Sequence, residues 1–302
     1  MEFDVEYLGK WLALFSAIAF SFASLSIAKT TRSDGDKGVM FSVLVTLVIS
    51  LAIWMIGRGD FVTGPDFSRG VMWFIFAGIF AMVLGRSLLF ASIRQLGVLR
   101  SSALKRLNPV FAILLAYFFL GERFSQMDVM GMTAIVLGFS LLIYDGFSRR
   151  ATEGLDNAPR LSSYMIGVLA ALAYASAYVT RKLGLTMMDS ASLGTFISAA
   201  SGFVFFGFIA IFSTRYRGYF QNIFKSLDRW IVISAVSMSA GQILLFAALA
   251  YEDVSTVVMI SSLEVFVSFF LTLVVFRSES LPSALVFMAA VLAIIGVILV
   301  VV

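Results

Sequence analysis

Lys105 and Arg106 stand side by side inside "SALKRLNPVFAILLAYFFLGE" (102–122), a stretch that otherwise reads as soluble in hydrocarbon. A lysine or arginine at the centre of a membrane helix costs about 2.5–3.5 kcal/mol on insertion scales, so a cation there faces water, a counter-charge or a ligand. At 1.5 Å per residue the pair lies roughly 12 Å into the span, too deep to snorkel easily. Arg86 precedes the end of the previous apolar run by about eight residues, and the short connection between the runs brings it to nearly the same depth. Three cations at one level suit the acidic group of an organic anion or zwitterion, whether carboxylate, phosphate or sulfate.

Two further features belong to the same level. Glu264 is essentially the one deep acidic residue. It can neutralise one cation permanently, or titrate as substrate comes and goes and so couple transport to protons. Pro109 removes a backbone donor and its ring displaces the carbonyl of Lys105, so the helix should bend or open at the cations. Irregular backbone at this depth is tolerated where it lines a cavity.

The elements that must position these residues are membrane helices. The chain has 302 residues, 60% of them hydrophobic and 13% charged, with a mean hydropathy of +0.98. Such values lie outside the soluble globular range, and a bilayer core needs roughly 20 apolar residues per helix. Ten apolar runs can be drawn at 8–28, 39–57, 70–94, 97–120, 128–145, 162–182, 190–212, 230–251, 254–276 and 282–302. The first is too long for a signal peptide and lacks a cleavage pattern, which predicts a retained helix. Cysteine and histidine are absent. Thiolate metal sites, disulfides, haem ligation and Ser-His catalysis therefore lose their main residues, and no enzyme, metal or cofactor is expected. The net charge of +4 reflects basic loops between apolar spans rather than nucleic-acid binding.

One of the two longest connections, 145–160, divides the chain nearly in half, and the halves align. "GRSLLFASI" at 85 matches "GQILLFAAL" at 241, and at the same offset "LNPVFAILLAYFFL" lies over "LEVFVSFFLTLVVF". The expected fold is an all-α membrane protein of ten transmembrane helices, built as two inverted five-helix repeats: 1–147, a loop at 148–163, and 164–302. Five crossings reverse the sense of the second half, an arrangement characteristic of alternating-access transporters. The repeat equivalents of Arg86, Lys105, Arg106 and Asn108 are Gln242, Ser261, Ser262 and Glu264. One half offers positive charge and the other mostly neutral hydrogen-bonding groups. Phe20 and Tyr174 are also equivalent, with Tyr178 one turn further along the same face, so aromatic groups could line the cavity. Roughly twice as many Lys and Arg follow odd-numbered as even-numbered spans, which places both termini outside by the positive-inside rule.

The duplicated unit, "LNPVFAILLAYFFLGERFS" and the glycine-bearing "GMTAIVLGFSLLIY" together resemble the EamA-type members of the drug/metabolite transporter superfamily. The second half departs from that pattern, with Val265 where a proline is usual and "FRSES" in place of the "GER" corner. The resemblance implies secondary transport of a small organic metabolite through a central cavity, often as export, in a multi-pass protein of the bacterial inner membrane. It also implies cytoplasmic termini, against the charge count. The expected site comprises Lys105, Arg106, Arg86, Asn108, Gln242, Ser261, Ser262, Tyr174 and Tyr178, with Glu264 as proton-coupling candidate and Pro109 as helix break. The expected partners are a small-molecule substrate and the lipid bilayer, with the oligomeric state open between monomer and homodimer. A flippase for a lipid-linked phosphate is the second reading of the same cations.

Overall fold

A computed structural model describes residues 5–30, 35–57, 66–105, 107–152, 161–225, 227–274 and 284–301. The first half contains α1 (Val5–Thr30), α2 (Gly35–Ile56), α3 (Phe67–Gly78), α4 (Arg86–Lys105), α5 (Leu107–Leu120) and α6 (Gln126–Thr152), with a π-helical segment, Ile79–Gly85, joining α3 to α4. The second contains α7 (Leu161–Met187), α8 (Ala191–Phe212), α9 (Thr214–Gln221), α10 (Arg229–Tyr251), α11 (Val254–Ser261), α12 (Glu264–Val274) and α13 (Ala284–Val301). The described residues are thus helical with short connections, as a hydrocarbon environment requires of a chain that must satisfy its own backbone. Among the described residues six spans are long and apolar enough to cross a membrane, including Tyr7–Ile27, Phe67–Ser92 and Arg229–Tyr251. Large apolar side chains such as Ile56, Phe118, Val204 and Phe212 face outward, while Ser16, Thr46, Ser198, Ser239 and other small polar groups are buried. This is an integral, multi-pass membrane protein.

The predicted runs recur as helices, with informative differences. α6 and α7 continue past the predicted ends at 145 and 182, because polar residues such as Arg181, Lys182 and Thr186 prolong a helix beyond its apolar run. The connection at 213–230 carries the short helix α9. α4 is helical throughout, yet the Ser92 hydroxyl donates to Ser101 Oγ at 2.9 Å. Nine residues of straight helix would separate them by about 13 Å. The chain therefore reverses between them, where the short turn after the third apolar run was expected.

Packing pairs each half with the other. α1 lies along α10, and α7 along α3; α1 meets α11 and α12, and α7 meets α5. α2 packs on α8, α5 on α11, and α6 on α13. Two reciprocal contacts set the spacing. A Cβ on Gly241 would lie 2.8 Å from the Phe20 ring, and one on Gly85 would lie 3.0 Å from the Tyr174 ring. Each aromatic therefore seats on a glycine of the other half, where no side chain would fit.

The "LGE" corner supplies another tie. Gly121 has φ of +67°, the left-handed conformation that ends a helix cheaply for glycine alone, and it closes α5. Glu122 then reaches across to α11, accepting from the backbone N–H of Val254 at 2.9 Å and Ser255 at 3.2 Å, and from the Ser255 hydroxyl. Asp253, at the N-cap position, makes no side-chain cap bond, so a residue of the first half caps a helix of the second. Glu122→Ala should destabilise the protein by about 1–2 kcal/mol. Thermal unfolding in detergent should show a lower midpoint for this variant, with Glu122→Gln intermediate because it retains an acceptor oxygen but not the charge.

Candidate functional site

A cavity of about 60 Å³ opens where α1, α4, α5, α7, α10, α11 and α12 converge. That volume holds several waters and is far below the size that encloses a drug-sized ligand. Lys105, Asn108 and Pro109 line it from the first half, and Tyr174, Tyr178, Gln242, Ser261, Ser262 and Glu264 from the second. Phe20 and Ser24 add a wall from α1. Residues more than 150 positions apart in sequence thus share one chamber.

Lys105 and Glu264 form its central ion pair. The ammonium donates to Oε1 at 2.8 Å and Oε2 at 2.9 Å, with side-chain exposures of 23% and 16%. Ser24 Oγ donates to Glu264 Oε1 at 2.9 Å, and Ser21 Oγ donates to the Glu264 carbonyl at 2.7 Å, so α1 clamps the residue at both ends. Glu264 also opens α12, where the positive end of the helix dipole favours a carboxylate. The Lys105 ammonium stands 5.8 Å from the Phe20 ring centroid, a cation–π contact within the same wall.

Arg106, close to the expected helix break at Pro109, lies outside the described residues. Among the described residues an interruption occurs at Ser262–Leu263, between α11 and α12. There Leu263 N–H donates to Ile260 O at 3.0 Å in a tight i→i−3 turn, and Ser262 Oγ donates to Met259 O at 2.5 Å. The serine hydroxyl competes for a helical carbonyl at this point, a signal present in the sequence as "SSLE".

Of the other predicted cations, Arg106 lies outside the described residues. Arg86 is fully buried but is not among the residues lining the cavity. Its guanidinium donates to Ser42 Oγ at 2.7 Å and Thr46 Oγ1 at 3.4 Å on α2, and Thr46 in turn lies 2.9 Å from Ser239 Oγ on α10. Hydroxyls one helical turn apart on α2 form a polar stripe that draws Arg86 away from the chamber.

Arg181 lines the cavity instead, although sequence reasoning put it at a span edge. It is 1% exposed, donates to Gln242 Oε1 at 2.6 Å, and stacks its guanidinium 4.7 Å from the Phe246 centroid. The signal was in the spacing: Tyr174, Tyr178 and Arg181 follow i, i+4, i+7, one face of a continuing helix. Its neighbour Lys182 points elsewhere, donating to the carbonyls of Leu249 at 3.0 Å and Glu252 at 2.6 Å to close the C-terminus of α10. Among the described residues no group of His, Cys, Asp and Glu could hold a metal ion.

Residues 7–144 match the EamA-like transporter family. Among solved structures, one described only as a crystal structure of a protein aligns over 98% of this chain and 95% of its own, with a TM-score of 0.67 and 15% sequence identity. That likeness is one of fold over the whole length. No curated protein matches.

The Lys105–Glu264 pair generates a directional prediction. Removing one member of a buried pair strands the other, which costs about 3–5 kcal/mol when burial is complete and somewhat less at the partial exposure found here. Lys105→Met should therefore lower the unfolding midpoint more than Lys105→Met combined with Glu264→Gln. Thermal unfolding of both variants in one detergent measures this, and a double variant no better than the single would contradict the coupling.

Proposed function

We infer, from the match of residues 7–144 to the EamA-like transporter family, that the chain is a secondary transporter moving a small organic metabolite by alternating access. The observation that carries the reading is the chamber itself: a small cavity between the two halves, lined by a cation–carboxylate pair, an arginine, amides, hydroxyls and aromatic rings. Such a lining suits an anionic or zwitterionic metabolite with an apolar or aromatic remainder. No group in it has the nucleophile–base or metal constellation that an enzyme would need.

The architecture in this reading is ten membrane helices in two inverted repeats, 1–147 and 164–302, joined by the loop at 148–163. The packing supports it: exchanging the two halves converts α1–α10 into the contact of α7 with α3 and the start of α4, and α1–α12 into α7–α5, and leaves α2–α8 and α6–α13 as themselves. A two-fold axis relating the halves in the membrane plane makes each arrangement open to one side convertible, by exchange of roles, into one open to the other. The reciprocal seats of Phe20 on Gly241 and Tyr174 on Gly85 are where the halves rock. The narrowness of the cavity fits a chain caught with its halves closed together.

Glu264 is the coupling residue in this mechanism. Ionised, it holds Lys105 through both carboxylate oxygens and is held by Ser24. Protonation removes the attraction, frees the ammonium and loosens α12 from α1 and α4. Substrate and proton thereby influence the same contact between the halves, which is the requirement for coupled movement. The chain in this reading resides in the bacterial inner membrane.

Uptake into proteoliposomes of a labelled panel of acidic, zwitterionic and neutral metabolites, with and without an imposed pH gradient, tests the reading. The wild-type protein should accumulate acidic or zwitterionic compounds in a gradient-dependent manner. Glu264→Gln should lose the response to the gradient while retaining exchange of internal for external substrate. An unchanged gradient response would remove Glu264 from coupling, and absence of flux for every compound would overturn transport.

A further inference from the structure

The charges lining the chamber are not balanced. Among its described lining residues the ionisable side chains of ordinary charge are Lys105, Arg181 and Glu264, which leaves one positive charge in excess. Lys105 does not supply that excess, since its ammonium already binds both oxygens of Glu264. Arg181 does. Among the described residues no carboxylate forms an ion pair with it; its partner is the neutral Gln242, through one terminal nitrogen. Its Nε is buried with no hydrogen-bond acceptor. A guanidinium has five donors in a rigid fork, and a buried one left unpaired is strongly unfavourable unless something arrives to complete it.

The surroundings complement an incoming acid. The Phe246 ring covers the guanidinium at 4.7 Å, and the Tyr178 ring lies 5.9 Å away, so the plane of Arg181 is fixed while its edge stays open to hydrogen bonding. Gln242 orients it from α10. Asn108 Oδ1 and Ser261 Oγ are also buried without partners, and both residues line the same chamber. Unsatisfied polar atoms of this kind mark places where a ligand or ordered water completes the network.

We propose that Arg181, held in orientation by Gln242, binds the carboxylate of a monoanionic or zwitterionic substrate, while the Lys105–Glu264 pair faces the rest of that substrate. This rests on the transporter reading and names the specificity residue within it. The single excess charge among the described lining residues favours one acidic group: a monocarboxylate neutralises it, a zwitterionic amino acid sets its carboxylate on Arg181 without adding net charge, and a dianion overcharges it. With Arg181 as the anchor, the ammonium of an amino acid can compete with Lys105 for Glu264, and an acid lacking the ammonium leaves that pair closed.

Gln242→Glu gives a test that does not disturb packing. The replacement is nearly isosteric and places a carboxylate on Arg181, so folding is maintained while the chamber loses its excess charge. The probes are L-leucine, leucinamide, which lacks the carboxylate, and 4-methylpentanoate, which lacks the ammonium, each presented to full-length protein in proteoliposomes and in binding assays. Wild type should take leucine or 4-methylpentanoate in preference to leucinamide. Gln242→Glu and Arg181→Gln should each weaken the acids about tenfold or more, the scale of a lost charge-assisted hydrogen bond. Arg181→Lys should recover part of the loss.

Acid recognition that survives Gln242→Glu and Arg181→Gln within threefold would overturn the assignment while leaving transport intact. So would a wild type that takes leucinamide as well as the acids. Failure of the wild type to bind or move any of the three probes, together with the wider metabolite panel, would overturn both the assignment and the transporter reading. Monodisperse elution of each variant on size exclusion, with an unfolding midpoint near wild type, separates loss of recognition from loss of fold.

Discussion

A cation buried among apolar helices must be held by something, and in this protein Lys105 is held by Glu264 of the opposite half. That pair organises its surroundings. Ser24 and Ser21 clamp Glu264 from α1, so α1, α4 and α12 meet at one set of bonds. The interruption at Ser262–Leu263 lets a new helix start at Glu264 and aims its N-terminal dipole at the carboxylate. Breaking the pair without replacing it strands a charge in a poorly solvated place, so the protein is expected to change shape only when a proton or another charge takes over the contact. The same expense that makes the pair costly to open makes it sensitive to whatever enters the chamber.

Around this contact the halves are joined by groups too small or too well capped to slip. Phe20 and Tyr174 sit on glycines of the other half at distances that exclude a Cβ. Glu122 closes the N-terminus of α11, and Lys182 closes the C-terminus of α10. These two charged residues serve helix ends rather than the cavity, which explains how a chain with 22 lysines and arginines carries few of them into the chamber. Charged residues near apolar spans divide into those that cap helix ends, those that pair across the interior, and the few left for a ligand.

How far the sequence disclosed this depended on the range of the interaction. Helices, their approximate ends and the short reversal after the third run follow from local hydropathy, and the repeat placed Lys105, Asn108, Gln242, Ser261 and Glu264 at related levels. These residues do gather around one chamber. What failed required knowledge of neighbours. Arg86 has the right depth, but the hydroxyls of Ser42 and Thr46 on α2 claim it, and nothing in its own helix shows that. Arg181 looked like the end of a span because Lys182 follows it, yet α7 continues to Met187 and carries it inward. The described break at Ser262–Leu263, in the second half, was not anticipated from the apolar run around it.

The repeat clarifies why these exchanges matter. Gly85–Arg86 and Gly241–Gln242 are equivalent, and each glycine seats the aromatic of the other half. The long polar side chain that follows is then directed into the interior by the same backbone in both halves. In the first half the interior offers hydroxyls of α2, and the arginine spends its terminal donors there. In the second the glutamine supplies an acceptor, and an arginine from α7 comes to it. A guanidinium is thus held at each place, that of Arg86 by two hydroxyls and that of Arg181 by one amide oxygen, and the Nε of each is buried without a hydrogen-bond partner. The two sequence halves differ in charge at several aligned positions, among them Arg86 and Gln242, Lys105 and Ser261, and Asn108 and Glu264, and Arg181 joins Lys105 on the cationic side of the described lining.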